Sequence, residues 1–235
     1  MSWIDYQPPE VIERCRGLAG EIQLQRRGLE YEIIYNGVFL MATYNGASEK
    51  AAVKEALAIT TRTYKGPVKV LMGGLGVGYS LREALNWPLV TRVTAAEIEP
   101  AVVRWNREVL SEVNGDALAD PRVQLYSGDF KDLLQKEAQA VSKHLSLGYQ
   151  VVVVDTDNGS TWLSLPGNQY FYKPEGVKLI DQCLMPGGIA CFWCSKEEKA
   201  FAELLKTGFE RVIFRSVPER TGKTGSFYLA CKAED

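Results

Sequence analysis

The sequence has a single histidine, His144. No second group of metal-ligand residues accompanies the one Cys-x-x-Cys, formed by Cys191 and Cys194. A zinc or redox role for that pair also conflicts with its setting. "GGIACFWCS" reads as a buried strand, in which residues three apart point to opposite faces. Cys15, Cys183, Cys191, Cys194 and Cys231 are therefore read as free thiols of a reducing cytoplasm, and no metal is expected. No run of about 18 apolar residues exists, so no membrane span is expected. "MSWIDYQPPEVIERCRG" carries acids and prolines where a signal peptide needs a basic start and an apolar stretch. A net charge of -2 gives no pull toward nucleic acid or a membrane surface. A Walker loop would need Gly-Lys-Ser/Thr, which is absent.

What remains is an ordinary globular composition, 46% hydrophobic and 24% charged. The 235 residues suit one large domain, or one domain with a small appendage. From residue 68 onward, apolar runs of strand length alternate with amphipathic stretches. Strands are expected at 68–74, 91–99, 122–129, 149–157 and 189–195. Helices are expected at 79–87, 100–113, 130–145, 174–184 and 196–208, and "ERVIFRSV" with "GSFYLACKA" closes as an antiparallel pair. Such alternation means a doubly wound, mostly parallel α/β sheet, here of seven strands and Rossmann-like. The first 60 or so residues are instead strand-rich. "RRG" and "YNG" read as turns, which gives a small N-terminal antiparallel β domain. The expected division is residues 1–62 and 63–235.

The chemistry begins at "VLMGGLGVGYSLREAL". Gly74, Gly76 and Gly78 sit between a strand and a helix, where open α/β sheets bind ligands. Glu97 ends the second strand, 19 residues past Gly78, where a carboxylate can accept from both ribose hydroxyls. Asp129 in "YSGDF" ends the third strand and can accept from an adenine amino group. Asp155 in "VVVVDTDN" ends the fourth. Glycines followed by acids at three successive strand ends suit a nucleoside sulfonium of the S-adenosylmethionine type. "DTDNG" is the candidate catalytic segment. Asp155 faces the cofactor, and Asp157 with Asn158 could bind or deprotonate an amine or hydroxyl; the alternative is an Asx turn that only reverses the chain. "STWLSLPGNQYFYKPEG" is either a lid over the site or an aromatic cluster beneath a surface loop. In "RWNR", Trp105 and Asn106 fall near the same end of the sheet, although a core tryptophan is the simpler account.

"VLMGGLGVGYSLREAL", "VTAAEIEPAVV", "LADPRVQLYSGDFKDLL" and "YQVVVVDTDN", with "NGVFLM" ahead of them, resemble the spermidine synthase group. These are polyamine aminopropyltransferases on the class I methyltransferase fold. The likeness covers nearly the whole chain and implies a nucleoside sulfonium and an amine acceptor. It also implies a homodimer or higher oligomer, to which the hairpin "EYEIIYNGVFLMATYNG" would contribute. Aligned on "LRE", the aspartate of the family's GGGDGG loop falls on Val77. The hairpin glutamine falls on Leu40, and the second aspartate of D-x-x-D falls on Asn158, with Asp157 one residue early. The family's histidine- or tyrosine-rich polyamine contacts are not evident around "YNGASEKAAV".

Three functions follow. Val77 in place of the aspartate motivates S-adenosylmethionine itself as cofactor, with methyl transfer to a small polar acceptor. The global resemblance motivates aminopropyl transfer from decarboxylated S-adenosylmethionine to a polyamine, with Asp157 as base. The missing family base motivates a non-catalytic domain that binds a nucleoside such as methylthioadenosine.

Overall fold

The structure, a computed structural model, describes residues 8–156, 163 and 165–234. Its first unit is a four-stranded antiparallel meander, β1 (Glu10–Gly17), β2 (Gly20–Arg27), β3 (Glu30–Tyr35) and β4 (Val38–Ala42), paired in that order. Asn36 and Gly37 join β3 to β4 with φ of 50° and 75°. Two successive left-handed residues make the hairpin turn whose twist matches its strands. The second "YNG" does not close a hairpin. Its Gly46, at φ 142°, is instead the N-cap of helix α1 (Ala47–Thr63).

The second unit alternates as the sequence predicts. Its elements are β5 (Val68–Gly73), α2 (Tyr79–Leu85), β6 (Val90–Glu97), α3 (Pro100–Arg107), α4 (Ser111–Asn114), β7 (Val123–Ser127), α5 (Phe130–Ser142), β8 (Tyr149–Val154), α6 (Pro174–Cys183), β9 (Leu184–Cys194), α7 (Lys199–Gly208), β10 (Arg211–Pro218) and β11 (Thr224–Cys231). The sheet order is β10-β11-β9-β8-β5-β6-β7. Only β11 runs against its neighbours among these seven strands. Every residue of β8 is buried, as expected for a central strand covered on both faces.

Two departures have local causes. The helix expected over 100–113 is broken after Arg107, because buried Asn114 donates to Asn106 Oδ1 at 2.8 Å. Eight residues of unbroken helix would set those side chains about 12 Å apart. The "MPGG" expected as a turn lies within β9, whose pairing with β8 slips between Tyr149 and Val151.

The two units share one core. Ile22, Leu24 and Ile33 of the meander pack in the same cluster as Val70, Met72 and Trp105. Trp105 Nε1 donates to Glu13 Oε2 at 2.8 Å, and Arg104 pairs with the same carboxylate, which ties β1 to α3. Helix α1 packs on α2, β9 and β11, so by contact it joins the larger unit, although the sequence places it in the N-terminal one. No helix among the described residues is long and apolar enough to cross a membrane.

Candidate active site

The sheet order reverses between β5 and β8, and ligands of open α/β folds bind beyond the strand ends at such a point. A cavity of about 400 Å³ lies there. Gly73 pairs with Val154, so Gly74 and Asp155 leave the sheet side by side, with Asp155 N–H donating to Gly73 O at 2.9 Å. A Cβ at Gly74 would stand 2.0 Å from the Asp155 carbonyl oxygen. Gly74, Gly76 and Gly78 all have positive φ, at 90°, 53° and 87°, a region that side-chain-bearing residues avoid. Gly74 thus answers first to the protein's own backbone crossing. Asn106 Nδ2 holds the loop by donating to Gly76 O at 2.8 Å.

Gly74, Gly76, Glu97, Asp129 and Asp155 all line this cavity. Val77 and Gly78 are not among its lining residues; Val77 is fully buried in the core cluster. The Val77 side chain is thus packed in the core and not in the cavity wall. Asp157 and Asn158 lie outside the described residues.

Glu97 ends β6, and its two carboxylate oxygens accept the backbone N–H groups of Leu75 (3.0 Å) and Glu99 (2.8 Å). Burial raises its pKa to about 6, with those N–H groups opposing the shift. Asp129 caps α5, accepting Lys131 N–H at 2.8 Å. Ala96, Ile98, Val102 and Phe130 supply apolar lining from the same side of the sheet. Glu99 accepts from Tyr35 OH (2.7 Å) and Leu18 N–H (2.8 Å) through one oxygen. Its other oxygen is buried without a hydrogen-bond partner among the described residues, a costly state that a ligand donor would relieve.

The sequence reading missed the opposite flank. β9 and β11 lie beyond β8, and they bring Trp193, Thr224 and Gly225 to the cavity, joined by Ser48 and Glu49 of α1 and by Glu219 of the β10–β11 turn. Trp193 Nε1 donates to Ser48 Oγ (2.9 Å), which donates to Glu49 Oε2 (2.7 Å). Gly225 must lack a side chain here, since its Cβ would fall 2.2 Å from Ser48 Oγ. Glu219 accepts the N–H groups of Gly46, Ala47 and Ser48 at 2.8–3.1 Å. Burial works to raise its pKa, but these bonds prevail and hold it below the usual glutamate value. Among the described lining residues six are acids (Glu49, Glu97, Glu99, Asp129, Asp155, Glu219) and one, Lys223, is a cation. No group of three or more potential metal ligands occurs among the described residues.

The spermine/spermidine synthase domain model matches residues 50–213. The chain belongs to the spermine/spermidine synthase family. A polyamine aminopropyltransferase from a Thermoanaerobacter species is 36% identical over 184 residues, covering 74% of this chain and 60% of that relative. The chain thus spans less than two thirds of that relative's length. Tobacco putrescine N-methyltransferase 3 is 30% identical over 125 residues, 53% of this chain and 29% of the relative. In fold the chain resembles spermidine synthase from Thermotoga maritima, with a TM-score of 0.70 at 16% identity, over 96% of this chain and 73% of that one.

Proposed function

We propose that this family member is an aminopropyltransferase, moving the aminopropyl group of decarboxylated S-adenosylmethionine to an amine of a polyamine. The observation that carries this reading is the wall of the cavity, with six acids against one lysine among the described residues. A decarboxylated cofactor brings a sulfonium and an ammonium, and a diamine acceptor brings two more cations. The carboxylate of S-adenosylmethionine itself would meet like charge. At an effective dielectric near 20, one such contact at about 4 Å costs on the order of 4 kcal/mol. Methyl transfer, which the sequence reading put first, rested on Val77 and loses that support because Val77 is buried in the core.

In this reading Glu97 accepts from the ribose hydroxyls. Asp129 accepts from the adenine amino group, and Ile98 with Phe130 gives the base apolar contact. Asp155, midway between the flanks, faces the sulfonium and its aminopropyl arm. The acceptor nitrogen attacks the methylene carbon on sulfur, the C–S bond breaks, and methylthioadenosine leaves. Holding the acceptor amine in line with the C–S bond of the sulfonium supplies most of the acceleration through proximity and orientation.

Self-association belongs to the same proposal. β1 and β4 are the edges of the meander and expose Val11, Ile12, Val38 and Phe39, and free apolar edges invite pairing. Light scattering at micromolar concentration would show a dimer or larger; a monodisperse monomer would reject it.

The 30% likeness to a putrescine N-methyltransferase favours one second reading, methyl transfer to an amine. Incubating the protein with putrescine and each cofactor in turn separates the two. Aminopropyl transfer releases methylthioadenosine from the decarboxylated cofactor, whereas methyl transfer releases S-adenosylhomocysteine from the other. A protein that binds nucleoside and releases neither would be a non-catalytic binding domain.

A further inference from the structure

Resting on the aminopropyl-transfer reading, we propose that Glu49 is a catalytic residue: it contacts the acceptor amine and takes the proton that the amine must lose before it attacks. Neither the glycine loop nor the strand-end acids point to it. It comes instead from the first turn of α1, in the segment "YNGASEKAAV", which has none of the family's histidine- or tyrosine-rich polyamine contacts in evidence.

Geometry carries the case. Glu49 is only 8% exposed, and that small exposure faces the cavity it helps to line. Its carboxylate is fixed from behind by the chain Trp193 Nε1 to Ser48 Oγ to Glu49 Oε2. The adjacent Glu219 clamp fixes the backbone of the same turn. Ser48 is locked between Trp193 and the bare backbone of Gly225. A carboxylate buried this deeply calls for a cation, and among the described residues no lysine or arginine forms an ion pair with Glu49. The flank it occupies lies across Asp155 from Glu97 and Asp129, and so opposite the nucleoside.

The proton affinity fits the task. Burial first, and the Asp155 charge second, push Glu49 up to about 7, while the Ser48 hydroxyl opposes the rise. A base works best with a pKa near the working pH, and an ordinary carboxylate is too weak to deprotonate an ammonium. Two carboxylates from other elements raise the pKa of Glu49, Asp155 after β8 and Glu219 from the β10–β11 turn; Tyr79 of α2 feels its charge, and Lys223 lines the same cavity. The step balances. Glu49 takes a proton from the acceptor ammonium, and the freed lone pair forms the new C–N bond as the C–S pair departs on sulfur. Neutral methylthioadenosine and a secondary ammonium result, and protonated Glu49 returns its proton to water.

Three readouts on Glu49→Gln test this. Affinity for methylthioadenosine should stay within about twofold, because the nucleoside flank is untouched. Putrescine affinity with methylthioadenosine bound should fall at least about tenfold, and kcat at pH 7 by about 10²–10³-fold. The wild-type rise of kcat/KM with pH near 7 should vanish in the variant. Wild-type kcat with an unchanged rise would overturn the assignment. Ser48→Ala keeps the carboxylate and removes a bond that favours its ionised form, so its rise should move to higher pH; a shift to lower pH, or none, counts against the assignment. Failure of the wild type to release methylthioadenosine would defeat the aminopropyl reading itself. The putrescine titration would then decide Glu49 alone: weaker binding in Glu49→Gln supports its contact with the amine, and equal binding overturns it.

Discussion

Glu219 accepts the backbone N–H of Ser48 at 2.8 Å, across 171 residues of sequence. With Gly46 and Ala47 also donating, a carboxylate from the last hairpin completes the N-terminus of α1. Helix N-termini favour negative charge and need acceptors for their free N–H groups. Glu219→Ala should therefore lower stability by about 1–3 kcal/mol in urea unfolding at pH 7. Its pKa is depressed from 4.5, so its contribution is present above the ordinary value and lost as pH falls through the depressed one. The difference from wild type should shrink in acid. An unchanged midpoint at neutral pH would remove Glu219 as the clamp.

Glu97 predicts how the nucleoside binds. Glu97→Gln should weaken methylthioadenosine binding by about 1–3 kcal/mol, the scale of lost charge-assisted bonds. In the proposed reading the ionised form accepts from the ribose, and burial raises its pKa to about 6. Calorimetric affinity should therefore be flat above pH 7 and fall as pH drops below about 6. A pH-independent affinity in the wild type would contradict the assignment.

Glu49 predicts a gain in stability. Its folded pKa of about 7 stands above 4.5. Its favourable contribution is complete below 4.5 and disappears as pH rises through about 7. At pH 8 the ionised side chain is buried beside Asp155, so Glu49→Gln should raise Tm by roughly 2–6 °C. At pH 5 the gain should be small. Loss of Tm at pH 8 would show that the charge is better compensated than its surroundings indicate.

Val77→Asp should destabilise the fold by several kcal/mol, because it places a carboxylate among Leu75, Leu81 and other core residues. Thermal unfolding checks this. A stable variant with altered cofactor preference would mean that position 77 reaches the ligand.

The sheet was readable because its signals are local. Four consecutive valines in β8 and proline opening α3 need no knowledge of distant residues. That Glu97, Asp129 and Asp155 line one cavity was readable for the same reason, since each ends or closely follows a strand of the parallel sheet. Glu49, Trp193 and Glu219 were not, because α1, β9 and the β10–β11 turn meet only in the folded chain. Nothing near Glu49 in "ASEKAAVKEALAI" separates it from a solvated helical glutamate. The burial of Val77 was not legible for a related reason: in a tight left-handed loop, one residue decides between cavity and core, and motif spacing does not fix which.

The most direct test of the central claim is the ratio of kcat/KM for decarboxylated S-adenosylmethionine to that for S-adenosylmethionine, with putrescine as acceptor. An anionic cavity predicts a ratio of about 100 or more, from a like-charge cost on the order of 4 kcal/mol softened by solvent, with one methylthioadenosine released per amine alkylated. A ratio near or below one, with S-adenosylhomocysteine as product, would contradict it.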